Sequence, residues 1–446
     1  MFTWSLPPEW VVWIALLAQP LHGRLADRLD AVVVGILLAH GRRTAASWWR
    51  AAGVGPQFRL YYYFLDSIGR KSRAVAAVVF GLVVKHAVPG DRLLMALDDT
   101  PTERFGPKVQ GAGVHHDPTP GPAGGKFLYG HVWVLLACLL RHARYGTLAL
   151  PLLAALYVRR RDVPRLPASA AWHFQTKLQQ AADLITWASS LAVAAGKTLE
   201  VVVDGGYAKK EVLRPAQTAG VVLIGRLRKD AALYDLPPVV PAERRRPGRP
   251  RVYGCHRLSL AKRAGQTRGW QSVAVVTTTG VTVSRRVKTF LATWRPAGGV
   301  IRVVIIKEED GSWRAFFSTD IGADAGSIAQ TVIDRWGIEQ ANHDLKEVEG
   351  IGQVQVRRIW SNVGALNLSV WVHTLVELWA WHRPPETLSD RSDAPWDNAT
   401  RRPSHADRRK ALQRMILEQE FSRSCGSTAV PQKIHRLFES LVKLVA

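Results

Sequence analysis

Four polar residues between positions 335 and 346 are spaced so that a helix would carry them on one face. At about 100° per residue, a single narrow stripe would contain Arg335, Glu339, Asn342 and Lys346. Such a row could bind a metal ion through the Glu339 carboxylate and a phosphate through the two cations. The alternative is a solvated helix face with ion pairs between residues four apart. The helical spacing alone does not decide between the two.

Two apolar segments farther upstream each lead into acidic residues. Residues 92–97 are followed by Asp98 and Asp99, and residues 199–203 are followed by Asp204 and two glycines. Each segment predicts a buried strand that ends at its acid and presents a carboxylate at the edge of a sheet. An acid at a strand end often only caps the following turn or helix, so neither segment alone identifies a site.

Taken together, these motifs resemble a known family. The spacing R-x3-E-x6-K is similar to the Tyr-Arg-Glu-Lys signature of bacterial insertion-sequence transposases, with Val332 at the tyrosine position. Three motifs follow one another along the chain: an apolar run ending in DDT, a second apolar run ending in DGGYA, and RWxIE. Their order resembles that of the DDE superfamily endonucleases over most of residues 89–383. The resemblance implies an RNase H-like fold whose catalytic acids are Asp99, Asp204 and Glu339. Asp99 is preferred to Asp98 because relatives place the acid directly before threonine.

The resemblance also implies a mechanism and its partners. The three acids would hold two divalent ions, Mg²⁺ or Mn²⁺, for cut-and-paste strand cleavage and strand transfer at terminal inverted repeats. Arg335, Asn342 and Lys346 would contact DNA beside the scissile bond. The partners would be double-stranded DNA, at the element ends and the target, and a second copy of the chain in a synaptic homodimer. In hairpin-forming relatives an aromatic residue stacks on a flipped base, a role open to Trp294 or Trp313.

Two alternatives keep the same fold. One is a domesticated, catalytically silent DNA-binding protein, and the other is a stand-alone RNase H-like nuclease, because a fold does not fix its substrate. The acid trio argues against the first. The long helical N-terminal region and the insertion argue against the second.

Composition favours a nucleic-acid partner. Lysine and arginine number 60 against 36 acids, a formal charge of +24, which predicts binding to a polyanion. The longest apolar runs, such as residues 10–18 and 132–140, are too short to span a bilayer, so no membrane role is expected. The N-terminus shows no basic leader followed by an apolar core, so a secretory signal is not expected. The three cysteines form no C-x2-C pair, which indicates a reducing cytoplasm, here at the bacterial nucleoid.

The densest run of charge lies at residues 244–251. Two prolines and a glycine forbid a helix there, and the Gly-Arg-Pro core with flanking arginines resembles an AT-hook, a peptide that lies in the minor groove. Its DNA contacts would be Arg246, Arg249 and Arg251. A solvated loop that provides only general attraction remains the alternative.

The pattern along the chain predicts an α/β protein. It has an RNase H-like mixed sheet core with a β-rich insertion, a helical N-terminal region and a helical C-terminal tail. The expected boundaries are 1–88 for a DNA-binding region, 89–226 and 317–383 for the two parts of the core, 227–316 for the insertion and 384–446 for the tail. Residues 42–53 are either a recognition helix, with Arg42, Arg43 and Arg50 facing phosphate, or an ordinary bundle helix. The sequence His115-His116-Asp117 is interpreted as a loop rather than a metal site.

Overall fold

A mixed β-sheet organises the molecule. The computed structural model describes residues 4–116, 125–238, 250–391, 396–398, 400–425 and 431–445. The first strands along the chain are β1 (Arg92–Glu103), β2 (Gly113–His116), β3 (Phe127–His142), β4 (Gly146–Tyr157), β5 (Thr198–Val203) and β6 (Val222–Leu227). Strand β3 is antiparallel to β1, β2 and β4, whereas β5 is parallel to both β1 and β6. The order β4-β3-β1-β5-β6 is that of an RNase H-like sheet, so the expected fold class is confirmed.

Helices precede this sheet, as the sequence predicts. They are α1 (Pro8–Ala18), α2 (Gly23–Leu38), α3 (Ala45–Ala51), α4 (Phe58–Arg70) and α5 (Ser72–Ala87). Two further helices, α6 (Lys177–Ala194) and α7 (Lys210–Thr218), connect the core strands. Ser169 is a plausible N-cap by sequence, which predicts a helix starting there. Helix α6 begins instead at Lys177, because Thr176 and Gln179 form a capping box, while Ser169 lies in a short 3-10 turn.

The β-rich insertion continues the core sheet instead of forming a separate one. Its elements are β7 (Leu233–Tyr234), β8 (Arg257–Leu258), α8 (Leu260–Gly265), β9 (Gln271–Val276), β10 (Thr282–Trp294), β11 (Gly299–Lys307) and β12 (Trp313–Ser318). Strand β12 pairs antiparallel with β6, with Phe317 opposite Gly225. A Cβ at Gly225 would lie 2.9 Å from the Phe317 ring, so this close pairing requires glycine. The described sheet thereby reaches twelve strands.

Two layers of helices cover the sheet. Helices α9 (Ala325–Asp334) and α10 (Trp336–Glu347) pack on one face, and α6, α7 and α11 (Ile359–Ala380) pack on the other. Helix α11 is buried along its length, as its apolar sequence predicts. It is the one described helix whose length and composition would suffice to cross a membrane, and it lies wholly inside the fold.

Helices α4 and α11 touch through their backbones. A Cβ at Gly69 would lie 2.0 Å from the carbonyl oxygen of Trp360, and one at Gly364 would lie 2.1 Å from that of Leu65. Glycine on both helices therefore permits an approach that any side chain would block. This contact fixes the N-terminal helices against the core.

The C-terminal region contains α12 (Pro385–Leu388), α13 (His405–Cys425) and α14 (Gln432–Val445). Helix α13 starts at the predicted capping box. The Ser404 N–H donates to Asp407 Oδ2 at 2.7 Å, and the Asp407 N–H donates back to Ser404 Oγ at 3.2 Å.

One local expectation is wrong. His115 and His116 lie in β2, paired with Leu128 and Phe127 of β3, because β3 extends far enough to hold them in the sheet. Of the arginines named in the recognition-helix interpretation, Arg42 and Arg50 are exposed and Arg43 is half-buried, so that interpretation stays a prediction. The pKa of Arg43 is lowered to about 10, first by burial and then by the positive charge of Arg409.

Candidate active site

Strand β1 runs through both of its aspartates. It remains paired with β3 as far as Glu103 opposite Gly130, so the expectation that it ends at Asp98 and Asp99 is wrong. Strand β5, in contrast, ends at Val203, directly before Asp204. The parallel register matches Leu97 with Val203, so Asp98 and Asp204 follow directly on this pair, on strands about 4.8 Å apart.

Alternation along the strands decides which acids share a face. Ala96 and Val202 belong to the apolar cluster that includes Ile338 and Ala341 of α10. Leu97 belongs to the cluster on the opposite face. Because successive side chains of a strand point to opposite sides, Asp98 and Asp204 lie on the α10 face and Asp99 lies on the other.

Contacts of the two acids agree with this alternation. Asn342 of α10 donates from Nδ2 to Asp98 Oδ2 at 3.5 Å. Lys177, the first residue of α6, places its Nζ 2.6 Å from Asp99 Oδ2 on the opposite face. The structure therefore brings Asp98, and not Asp99, towards the α10 residues that the sequence singled out.

Negative charge accumulates around Asp98. Its pKa is raised to about 6, first by burial and then by the charges of Asp99 and Glu339, while the Asp99 N–H and Arg335 oppose the shift. Asp98 and Glu339 are thus close enough to influence each other across the gap between β1 and α10.

A tight turn presents Asp204. The Gly206 N–H donates to Asp204 Oδ2 at 3.3 Å, and the Tyr207 N–H donates to the Asp204 carbonyl at 3.0 Å. The Tyr207 side chain is buried beside the acids. Burial, followed by the charges of Asp99 and Asp98, raises the pKa of its hydroxyl well above its usual value.

The start of α10 is fixed by the residue before Arg335. The buried Asp334 carboxylate accepts from Arg141 of β3 at 2.6 Å and from Thr147 of β4 at 2.7 Å. Helix α10 packs closely on the sheet at Gly337, where a Cβ would be in van der Waals contact with Leu139 at 3.4 Å. These contacts place the Glu339 stripe over the sheet.

The predicted stripe forms on α10. Arg335 Nη2 lies 2.6 Å from Glu339 Oε1, so the ion pair between residues four apart is present. Asn342 is buried at its contact with Asp98, and Lys346 is half-buried one turn farther along. Arg335 thus balances the charge of Glu339 and orients its side chain through one carboxylate oxygen. It does not hold the second oxygen.

Other predicted contacts have different outcomes. Arg246 and Arg249 lie outside the described residues, whereas Arg251 is exposed and donates to Cys255 Sγ at 2.5 Å. Trp294 is buried against Phe317, with ring centroids 5.1 Å apart, so it is not available to stack on a base. Trp313 is half-buried, with Lys229 Nζ 5.1 Å from its ring centroid.

Sequence reasoning missed Lys177, Tyr207 and Asp334, because each acts only through a partner far away in the chain. It also missed an aromatic and basic surface around a cavity of about 450 Å³. Exposed rings of α4 meet arginines of the segment before α11 there, and Arg358 lies 5.6 Å from the Tyr63 ring centroid. The lining is Arg59, Tyr62, Tyr63, Gln355, Val356, Arg357, Arg358 and Ser361.

The donor chemistry of the site fits divalent cations. Asp98, Asp204 and Glu339 offer carboxylate oxygens, which are the ligands that Mg²⁺ and Mn²⁺ prefer. Burial is the main cause of the raised pKa of Asp98, with the charges of Asp99 and Glu339 adding to it, and a bound cation would favour the ionised carboxylate. Carboxylates of this kind bind metal ions for the displacement of an oxygen at phosphorus. Among the described residues, however, these three do not bring ligand oxygens within 4.8 Å of one another.

A match to a family model agrees with this chemistry for the acids of β1 and for Asp204. The family model described as DDE superfamily endonuclease matches residues 17–295, which include both aspartates of β1 and Asp204 but not Glu339. The structure is similar to that of piggyBac transposase in a synaptic complex with hairpin DNA, at 9% sequence identity and a TM-score of 0.40, covering 98% of this chain and 84% of that one. No curated protein sequence matches the chain. Because the family model covers more than half of its residues, the chain belongs to the DDE superfamily endonucleases.

Proposed function

We propose that this protein is a DNA transposase that binds the terminal inverted repeats of an insertion sequence and carries out cut-and-paste strand cleavage and strand transfer. The observation that carries the proposal is the alignment of Asp98 with Asp204 on the face covered by the Glu339 helix. Membership of the endonuclease family and the net charge of +24 support DNA as the substrate.

The proposed metal ligands are Asp98, Asp204 and Glu339, with Asp98 in place of the Asp99 favoured by the DDT motif. Divalent ions held there supply Lewis acidity for in-line displacement at the scissile phosphate. Asn342 keeps the Asp98 carboxylate turned towards α10 through its 3.5 Å contact. Lys177 forms an ion pair with Asp99 on the other face and so offsets part of the negative charge of that acid.

Arg335 and Lys346 supply positive charge beside the acids. Arg335 holds one oxygen of Glu339 and presents the rest of its guanidinium to the phosphate backbone. Lys346, farther along α10, extends this charge along the DNA. The attacking group is water or a terminal 3′-OH, so no side chain of the protein serves as nucleophile. Joining two ends requires two copies, and we propose a homodimer in the synaptic complex.

End cleavage tests the function. Labelled duplexes carrying the inverted repeats that flank the gene are incubated with the protein and Mg²⁺ or Mn²⁺. We expect strand cleavage by the wild type, no cleavage by Asp204→Asn or Glu339→Gln, and near-normal end binding by both variants. Glu103→Gln, which changes an exposed acid farther along β1, is the matched control and should cleave normally.

Two results would replace the proposal. Specific end binding without cleavage in either metal would identify a catalytically silent DNA-binding protein. Cleavage of RNA–DNA hybrids or junctions, with no preference for the inverted repeats, would identify a stand-alone nuclease of the same fold.

A further inference from the structure

A second cluster of metal-ligating side chains lies where α11 meets the start of α13. His373, Glu377 and His405 are each at most 3% exposed. One possible ligand atom from each lies within 4.8 Å of those of the other two. His373 and Glu377 are four residues apart on α11 and therefore share one face of that helix. The cluster contains none of the three carboxylates proposed for DNA cleavage.

His373 lacks the contacts expected of a buried imidazole. Neither of its ring nitrogens has a hydrogen-bond partner within the part of the chain that the structure describes. Its ring stacks on that of His405, with centroids 3.9 Å apart. Buried polar atoms are nearly always paired, so two unpaired nitrogens on one side chain require an explanation.

The neighbouring residues resemble the outer shell of a metal site. Glu349 Oε1 lies 3.0 Å from His405 Nε2, and Arg409 holds the other oxygen of Glu349 at 2.5 Å. Arg408 holds the outer oxygen of Glu377. Ligating histidines commonly pair their second nitrogen with a carboxylate, and ligating carboxylates are themselves hydrogen-bonded. The inner atoms, Glu377 Oε1 and His405 Nδ1, face each other at 2.7 Å.

A cavity of about 280 Å³ leads to the cluster. His373, Glu377 and His405 all line it, and so do Gln340 and Asp344 of α10. It offers an entry path for an ion and room for a fourth ligand such as water. Three arginines also line the cavity, and the Asp344 carboxylate would offset part of their positive charge and of the ion's.

We propose that His373, Glu377 and His405 bind one zinc-type divalent ion, separate from the ions at the catalytic carboxylates. Two imidazoles and one carboxylate with an open position form a donor set suited to Zn²⁺ and poorly suited to Mg²⁺. The ion replaces the proton held between His405 Nδ1 and Glu377 Oε1, and that proton leaves to solvent. The His373 ring turns from its stack to direct one nitrogen at the ion. The bound ion joins α11 to α13.

Cobalt substitution tests this site in the full-length, tag-free protein. The protein is treated with a chelator, dialysed and titrated with Co²⁺, using the Glu339→Gln variant so that the catalytic carboxylates contribute less. We expect one equivalent to bind, with the visible absorption of a tetrahedral Co²⁺ site that Zn²⁺ then abolishes. Mg²⁺ in excess should leave the spectrum unchanged.

His373→Asn is the decisive variant because His373 makes no hydrogen bond with the described residues, so its loss leaves the surrounding ion pairs intact. It should weaken Co²⁺ binding at least tenfold while the circular dichroism spectrum stays unchanged. His22→Asn, an exposed histidine before α2, is the matched control and should bind as the parent does. The proposal is overturned if the parent shows no saturable Co²⁺ or Zn²⁺ binding, or if His373→Asn binds as tightly as the parent.

Discussion

Lys177 Nζ lies 2.6 Å from Asp99 Oδ2, on the face of β1 that Asp98 does not share. The two adjacent acids therefore lie in different electrostatic environments. Asp99 has a cation of its own, whereas Asp98 lies in the carboxylate group beneath α10.

Replacing the two acids separately should distinguish their roles. We expect Asp98→Asn to reduce cleavage of the element ends to below about one-hundredth of wild type, because a neutral amide is a poor ligand for a hard cation. Asp99→Asn should retain most of the activity, since it only removes the partner of Lys177. Single-turnover cleavage at saturating protein measures both. An inactive Asp99→Asn beside an active Asp98→Asn would restore the assignment favoured by the DDT motif.

The α10 cations should determine how salt affects end binding. Arg335→Ala and Lys346→Ala should each lower the slope of log affinity against log salt by about one, as one phosphate contact is lost. Arg436→Ala, an exposed arginine on α14, is the control and should leave the slope unchanged. If the slope is the same in all three variants, Arg335 serves only its ion pair with Glu339.

The effect of DNA base composition on binding should show how the arginines of residues 244–251 contact DNA. Replacing Arg246, Arg249 and Arg251 by alanine should weaken binding to A·T-rich duplexes more than to G·C-rich duplexes at fixed salt, since a narrow minor groove attracts arginine. Competition binding with two matched duplexes measures the difference. An equal loss on both duplexes would indicate general attraction to phosphate.

Removing a charge from the buried network around His405 should destabilise the fold. Glu349→Gln leaves Arg409 and His405 without their shared carboxylate, and we expect the free energy of unfolding to fall by about 3–5 kcal/mol. Arg414→Ala breaks a more exposed pair with Asp390 and should cost less than about 1 kcal/mol. Urea denaturation of chelator-treated protein measures both. Similar losses would show that burial does not strengthen the network.

Replacing glycine by alanine should have opposite effects on stability at Gly69, in the contact between α4 and α11, and at Gly81 on α5. Gly69→Ala should destabilise the protein by about 1–3 kcal/mol because its Cβ meets the Trp360 carbonyl. Gly81→Ala, on the exposed side of α5 with nothing near its Cβ, should stabilise it by roughly 0.5–1 kcal/mol. Thermal unfolding of both variants checks the sign. A stable Gly69→Ala would mean that the helices can separate without loss.

The sequence predicts much of this architecture because its signals are local. The valine run before Asp204 predicts β5, and the uninterrupted apolar stretch predicts the buried α11. The local sequence does not show which of Asp98 and Asp99 faces α10. Adjacent strand residues always face opposite ways, so the answer depends on which face α10 covers, and that is a long-range property. Strand β10 has only a weak sequence signal because Arg285, Arg286 and Lys288 interrupt its apolar pattern.

Pairing between β6 and β12 has a consequence for protein engineering. In the intact chain β6 has a neighbour on each side, β5 and β12. Deleting the insertion would leave one side of β6 as an open edge, with unpaired N–H and C=O groups ready to accept a strand from another molecule. A shortened protein would therefore tend to aggregate, even with every catalytic acid retained.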